Sequence, residues 1–306
     1  MADRHRLAGL CLALLSLNLA GGAGLFGLYL AGGGACASLG LVAWLLGLRH
    51  AFDADHIAAI DNVTRRLRQQ GQRPVAIGLF FSLGHSTVVA LMTLAVAVGL
   101  QRAQGFSSWI GAWGVPVSLF ASAAFLTLIG LLNLRALRAR SGAARRFGHV
   151  AHSGAMFPLG LLFGLNLDTA AEVMLLAASA SALHAAGLPL WAMMMFPLLF
   201  TAGMASADSA EGLLMMRLYD WALTDSNRTL SLNQATTALS VVLAFSVAGV
   251  QWLALVRGFG APAAAGAFGD GLTGASLGVA VTALMATLWL AARWRRQAVA
   301  VPSGQV

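Results

Sequence analysis

Apolar residues gather into eight runs, each near the roughly 20 residues needed to cross about 30 Å of hydrocarbon. They fall at residues 7–31, 39–62, 74–100, 109–134, 153–183, 188–216, 232–256 and 271–292. The pattern predicts an all-α integral membrane protein of about eight transmembrane helices, organised as a single polytopic membrane domain over 1–306. The longest polar connection, about 135–152, holds five Arg with His149 and His152 and reads as a surface loop. A second polar loop is expected from Tyr219 to Leu230, and a short tail from Pro302. The Gly-rich stretch from Gly21 to Gly34 predicts close helix packing, and that from Gly258 to Gly274 an external connection. The first run also has the build of a signal peptide: Arg4, His5 and Arg6 precede an apolar stretch and the small residues Ala20-Gly21-Gly22-Ala23. It continues through Leu25-Phe26-Gly27-Leu28-Tyr29-Leu30, however, and is read as a retained span.

Charge orients the runs. With an even number of spans, sixteen Arg fall on one side of the membrane and two, Arg102 and Arg257, on the other, while Arg49 lies inside the second run. An excess of basic residues marks the cytoplasmic side, so both termini and the 135–152 loop are expected in the cytoplasm.

Composition agrees: the chain is 58% hydrophobic and 10% charged, whereas a soluble domain has about 25% charged residues. All nineteen basic residues are Arg. Without a lysine there is no phosphate-binding GxxxxGK[ST] loop, so direct ATP drive by this chain alone is not expected and no ATPase subunit is indicated by the sequence. The net charge of +8 comes from Arg at span ends, which is a topology signal rather than a nucleic-acid surface. Cys11 and Cys36 give neither a disulfide framework nor a thiolate metal site.

Candidate chemistry sits where charge is costly. Of eleven acids, Asp53, Asp55, Asp61, Asp168, Glu172, Asp208 and Glu211 lie within the predicted spans. At about 3 kcal/mol each, seven uncompensated acids would cost roughly 20 kcal/mol, more than the 5–15 kcal/mol that stabilises a typical domain. They must be paired, protonated, hydrated or bound to cations. The density peaks at Arg49-His50-Ala51-Phe52-Asp53-Ala54-Asp55-His56-Ile57, with Asp61 one turn on. Imidazole and carboxylate together suit a divalent transition metal such as Ni²⁺, Co²⁺ or Zn²⁺ better than Mg²⁺ or Ca²⁺.

Spacing limits what can converge. At 100° per residue His50 shares a face with Asp53, Ile57 and Asp61, but Asp55 lies about 140° away and His56 about 120° the other way. Either the helix unwinds near 53–55, or the groups face several neighbours. Asp168 and Glu172 are four apart, and Asp208 and Glu211 three apart, so each pair forms one acidic face. His85 adds a third imidazole beside Ser86 and Thr87; alone it would read as a helix-to-helix hydrogen-bond partner. Met193, Met194, Met195, Met215 and Met216 read as packing, Met204 stands one turn before Asp208, and Arg49 reads as a counter-ion to a buried carboxylate. His149 and His152 read as solvated loop residues.

These stretches resemble the nickel/cobalt transporter family. Its second-span signature R-H-A-x-D-A-D-H-I is met in full by residues 49–57, with the H-x4-D-H core as His50, Asp55 and His56. Its third-span L-G-H-S-T-V-V is met by residues 83–89. The fifth-span L-G-x-D-T-A-x-E is met by 165–172 with Asn166 in place of Gly, and the sixth-span G-M-x-L-x-D-T-x-D is met loosely by 203–211, with departures at Ser206, Ser209 and Glu211. The resemblance implies high-affinity uptake of Ni²⁺ or Co²⁺ as transported substrate, without a cofactor, across the bacterial cytoplasmic membrane. The metal-site candidates are then His50, Asp53, Asp55, His56, His85, Asp168, Glu172, Asp208 and Glu211. Two other readings share this chemistry. An intramembrane metal hydrolase would hold its metal permanently, but the HExxH signature is absent; an efflux permease would differ only in direction.

Overall fold

The computed structural model describes residues 2–97, 115–138, 152–165, 172, 173, 175, 176, 179, 187–224, 229–256 and 287. The elements among them are helical: α1 (Ala2–His50), α2 (Ala54–Gln69), α3 (Ile77–Ala97), α4 (Val115–Arg138), α5 (Met156–Phe163, entered through a 3-10 turn at Ser153–Ala155), α6 (Leu190–Thr224) and α7 (Thr229–Val256). The stretches Arg4–His50 and Ile77–Ala95 are each long and apolar enough to cross a membrane. All of the eighth expected span but residue 287, the loop residues 139–151 and most of 166–186 lie outside the described residues.

α1 is two antiparallel limbs. The indole of Trp44 donates to Asn18 Oδ1 at 3.1 Å, although 26 residues of straight helix would separate them by about 39 Å. The reversal falls at Gly33, whose φ of 74° and ψ of −168° belong to a region essentially closed to residues with a Cβ. Asn18 also donates to Ser206 Oγ at 2.9 Å, so one amide ties both limbs to α6. The first limb lies along α6 through Gly21, Gly24 and Gly27, which meet Leu199, Met195 and Trp191. The second limb crosses α6 backbone to backbone: a Cβ on Gly47 would fall on the Phe200 carbonyl, and one on Gly203 on the Trp44 carbonyl.

α2 begins only three residues after α1 ends, so the second apolar run is not one helix. Residues 51–53 turn through Phe52 N–H to Arg49 O and Asp53 N–H to His50 O, both 3.0 Å. Asp53 is extended (φ −68°, ψ 142°) and starts α2. α2 is polar yet buried, with His56, Asp61, Asn62, Thr64 and Arg65 inside the molecule. It separates two apolar clusters, one built with α1, α3, α5 and α6, the other with α4, α6 and α7. α4 packs along α7, and α3 on α5 and α6. The outward faces carry Leu12, Leu15, Leu19 and Phe26 of α1, Leu91 of α3, Phe120 and Leu128 of α4 and Val242 of α7. Polar groups inside and large apolar groups outside is the arrangement hydrocarbon solvent demands.

Three sequence expectations shift. α4 continues to Arg138, so the first residues of the loop expected over 135–152 are helical, and α6 continues to Thr224, which puts Tyr219 in a helix rather than a loop. Arg65, counted as a loop charge, is buried in α2.

Candidate metal centre

Three imidazoles converge at the break between α1 and α2. His50 ends α1, His56 lies in the first turn of α2, and His85 faces them from α3; each is at most 2% exposed. One ring nitrogen of each lies within 4.8 Å of the others, and the ring centroids are 4.7–4.9 Å apart. The turn at 51–53 makes this possible, since it removes the angular separation that a continuous helix would impose on His50 and His56. α3 is brought in by backbone contact with α5: a Cβ on Gly84, beside His85, would strike the Phe157 carbonyl, and one on Gly160 the Phe81 carbonyl. Phe81 and Phe200 close the apolar side of the cluster.

Carboxylates back two of the rings. His50 Nδ1 lies 3.1 Å from Asp53 Oδ2 and 2.9 Å from Glu172 Oε2. A proton on Nδ1, the side of the carboxylates, leaves the Nε2 lone pair of His50 facing inward, where Nε2 lies 3.1 Å from His85 Nε2. Two nitrogens bound to one ion at about 2.0–2.1 Å each, at 90–109°, stand about 2.9–3.4 Å apart. The pair is therefore spaced to share an ion without moving. His56 Nδ1 is 3.7 Å from Asp208 Oδ1, and Asp208 Oδ2 accepts from Ser82 Oγ at 2.6 Å. Arg49 reaches Glu172 Oε1 at 3.6 Å, as the counter-ion reading expected. Met204 is buried on the far side, with Ser86 Oγ 3.8 Å from its sulfur.

The remaining candidates divide. Asp55 is half-buried and its Oδ1 accepts from His56 N–H at 2.9 Å, at the start of α2. Glu211 is buried one turn beyond Asp208. Asp168 and His149 lie outside the described residues, and His152 is exposed at the entry to α5. Sequence reasoning missed Ser82 as a partner of Asp208, Tyr219 as a partner of Asp61, and Arg65 as a partner of Tyr219. Only Ser82 had a signal, being an intramembrane hydroxyl one turn before His85.

A family model described as "High-affinity nickel-transport protein" matches residues 36–149 and 138–294. The chain belongs to that family. Its relatives include the cobalt transport protein NhlF of Rhodococcus rhodochrous, 39% identical over 95% of this chain and 92% of that one. The high-affinity nickel transport protein of Cupriavidus necator is 40% identical over 71% of this chain and 70% of its own. The nickel transporter NicT of Mycobacterium tuberculosis is 38% identical over 82% and 76%. No solved structure matches. The family and these relatives are transporters, not enzymes, which sets the hydrolase reading aside.

Proposed function

We propose that the protein is a multi-pass permease of the bacterial cytoplasmic membrane that takes up Ni²⁺, Co²⁺ or both through the intramembrane His/Asp site. The observation that carries this is the convergence of His50, His56 and His85, two of them backed by carboxylates, in the interior of a helix bundle. Charge supports it. Among the described residues, the charged groups beside the imidazoles are Asp53, Glu172 and Asp208, with Arg49 on Glu172, so three negative charges and one positive leave −2 when the carboxylates are ionised and the rings neutral. A divalent cation cancels that charge where desolvation makes it most costly.

Nitrogen and oxygen ligands without a thiolate favour Ni²⁺ and Co²⁺ strongly over Mg²⁺ and Ca²⁺. His50, His56 and His85 are the direct ligands in this reading. Asp53, Glu172 and Asp208 fix ring orientation and supply charge, and Asp55 and Glu211 line the approach and exit. Inward movement of two charges gains about 4.6 kcal/mol per 100 mV of inside-negative potential, enough to concentrate the ion without a nucleotide. The names borne by the relatives, for nickel or cobalt transport, support the substrates.

Accumulation of radiolabelled Ni²⁺ and Co²⁺ by cells producing the chain tests the reading. Accumulation above that of cells lacking it is expected. A fall below that level would make the protein an exporter, and no difference would mean that it carries neither ion.

A further inference from the structure

The polar interior does not end at the imidazoles. One to two turns further along α2 and α6, toward the arginine-rich end of α2, lies a second set of buried groups. There Gly212 of α6 approaches both Ile60 of α2 and Gly78 of α3 at 3.7 Å from its Cβ position. This contact sets Asp61 and Glu211, the residues next to it in sequence, on facing helices. Both are at most 4% exposed. Asp61 Oδ2 and Glu211 Oε1 are each buried without a hydrogen-bond partner. Two such oxygens inside one protein are costly unless they are protonated or meet a group of opposite charge.

An aromatic ring stands against Asp61. Tyr219 donates its hydroxyl proton to Asp61 Oδ1 and accepts from Arg65 Nη2 at 2.7 Å, while the Arg65 guanidinium stacks 4.4 Å from the ring centroid. Arg65 thus fixes the ring by both edge and face. One turn further, Arg68 pairs with Asp220 at the end of the polar column.

We propose that Asp61 and Glu211 form a second station for the divalent cation after the histidine site, closed by Tyr219, which Arg65 holds across Asp61. The inference rests on the transport reading above. Oxygen ligands bind such ions more weakly than imidazole does, so the station receives the ion from the histidines without trapping it. Release requires the Tyr219 hydroxyl to leave Asp61. With Tyr219 in place, Arg65 also sets a positive charge at the mouth, which opposes leakage of cations through the closed state.

The test separates flux from binding. The full chain and its Asp61→Asn, Glu211→Gln and Tyr219→Phe variants are compared for Ni²⁺ flux in proteoliposomes and for Ni²⁺ affinity in detergent. Asp61→Asn and Glu211→Gln should each lower maximal flux by about tenfold or more while the dissociation constant of the tight site stays within about threefold of wild type. Tyr219→Phe keeps the ring on Arg65 but loses the bond to Asp61, and should raise maximal flux about threefold at unchanged affinity. Wild-type flux in both carboxylate variants, affinity that falls in step with flux, or slowing by Tyr219→Phe would each overturn the proposal. If the unaltered chain carries no Ni²⁺, the transport reading itself fails.

Discussion

His50 has different neighbours on its two nitrogens, and that asymmetry is what makes it useful. Nδ1 faces Asp53 and Glu172 while Nε2 faces His85, so the carboxylates decide which nitrogen is offered to an ion. Glu172→Gln keeps the shape but weakens that hold, and should lower Ni²⁺ affinity by about ten- to a hundredfold; titration of Ni²⁺ binding checks it, and unchanged affinity would mean that Glu172 does not orient the ring. Protons compete with the metal for the same lone pairs. Binding should therefore be full above the ordinary imidazole range, about 6–7, and fall as pH drops through it. A pH titration of Ni²⁺ binding that stayed flat through that range would contradict imidazole ligation. At this scale much was legible: the residues 49–57 signature named His50, Asp53 and His56. What sequence could not supply was the division of labour. Asp55, in the core of that signature, accepts from the backbone of His56, and the turn at 51–53 brings His56, which regular helical spacing turns away, beside His50.

At the scale of elements, glycine placement governs how closely helices approach. Gly47 in α1 sits on the Phe200 carbonyl of α6, three residues before His50, whereas Gly9 in the same helix has nothing within 4 Å of its Cβ position. Gly47→Ala should push the α1 limb from α6, lower thermal stability in detergent and reduce Ni²⁺ binding. Gly9→Ala should leave binding intact and stabilise the helix by up to about 1 kcal/mol, the helix preference of Ala over Gly. Equal melting temperatures for both variants would contradict the packing described. The apolar pattern located the two limbs of α1 as separate runs but could not place the reversal at Gly33, because several glycines there are equivalent in hydropathy and only backbone torsion distinguishes them. The spacing of the polar residues left open whether the helix breaks near 53–55 or stays continuous. The break between His50 and Ala54 is the first of these.

For the whole molecule, the Arg distribution makes a prediction independent of the site. Reporter tags at the N-terminus, within 138–146 and at the C-terminus should all report a cytoplasmic location, given sixteen Arg on that side against two. A periplasmic report from any one of them would refute the eight-span arrangement. Arg65 shows why the count is a guide to orientation and not to exposure: it lies at the expected end of α2, yet it is buried against Tyr219. Transport also belongs to the whole molecule, and the central claim is that it runs through the imidazole cluster. The most direct measurement is uptake of radiolabelled Ni²⁺ by cells producing His50→Ala at the same membrane abundance as the unaltered chain. Uptake should fall to the level of cells lacking the protein, because the ring that Asp53 and Glu172 orient is gone. Uptake near that of the unaltered chain would place the path elsewhere and contradict the account.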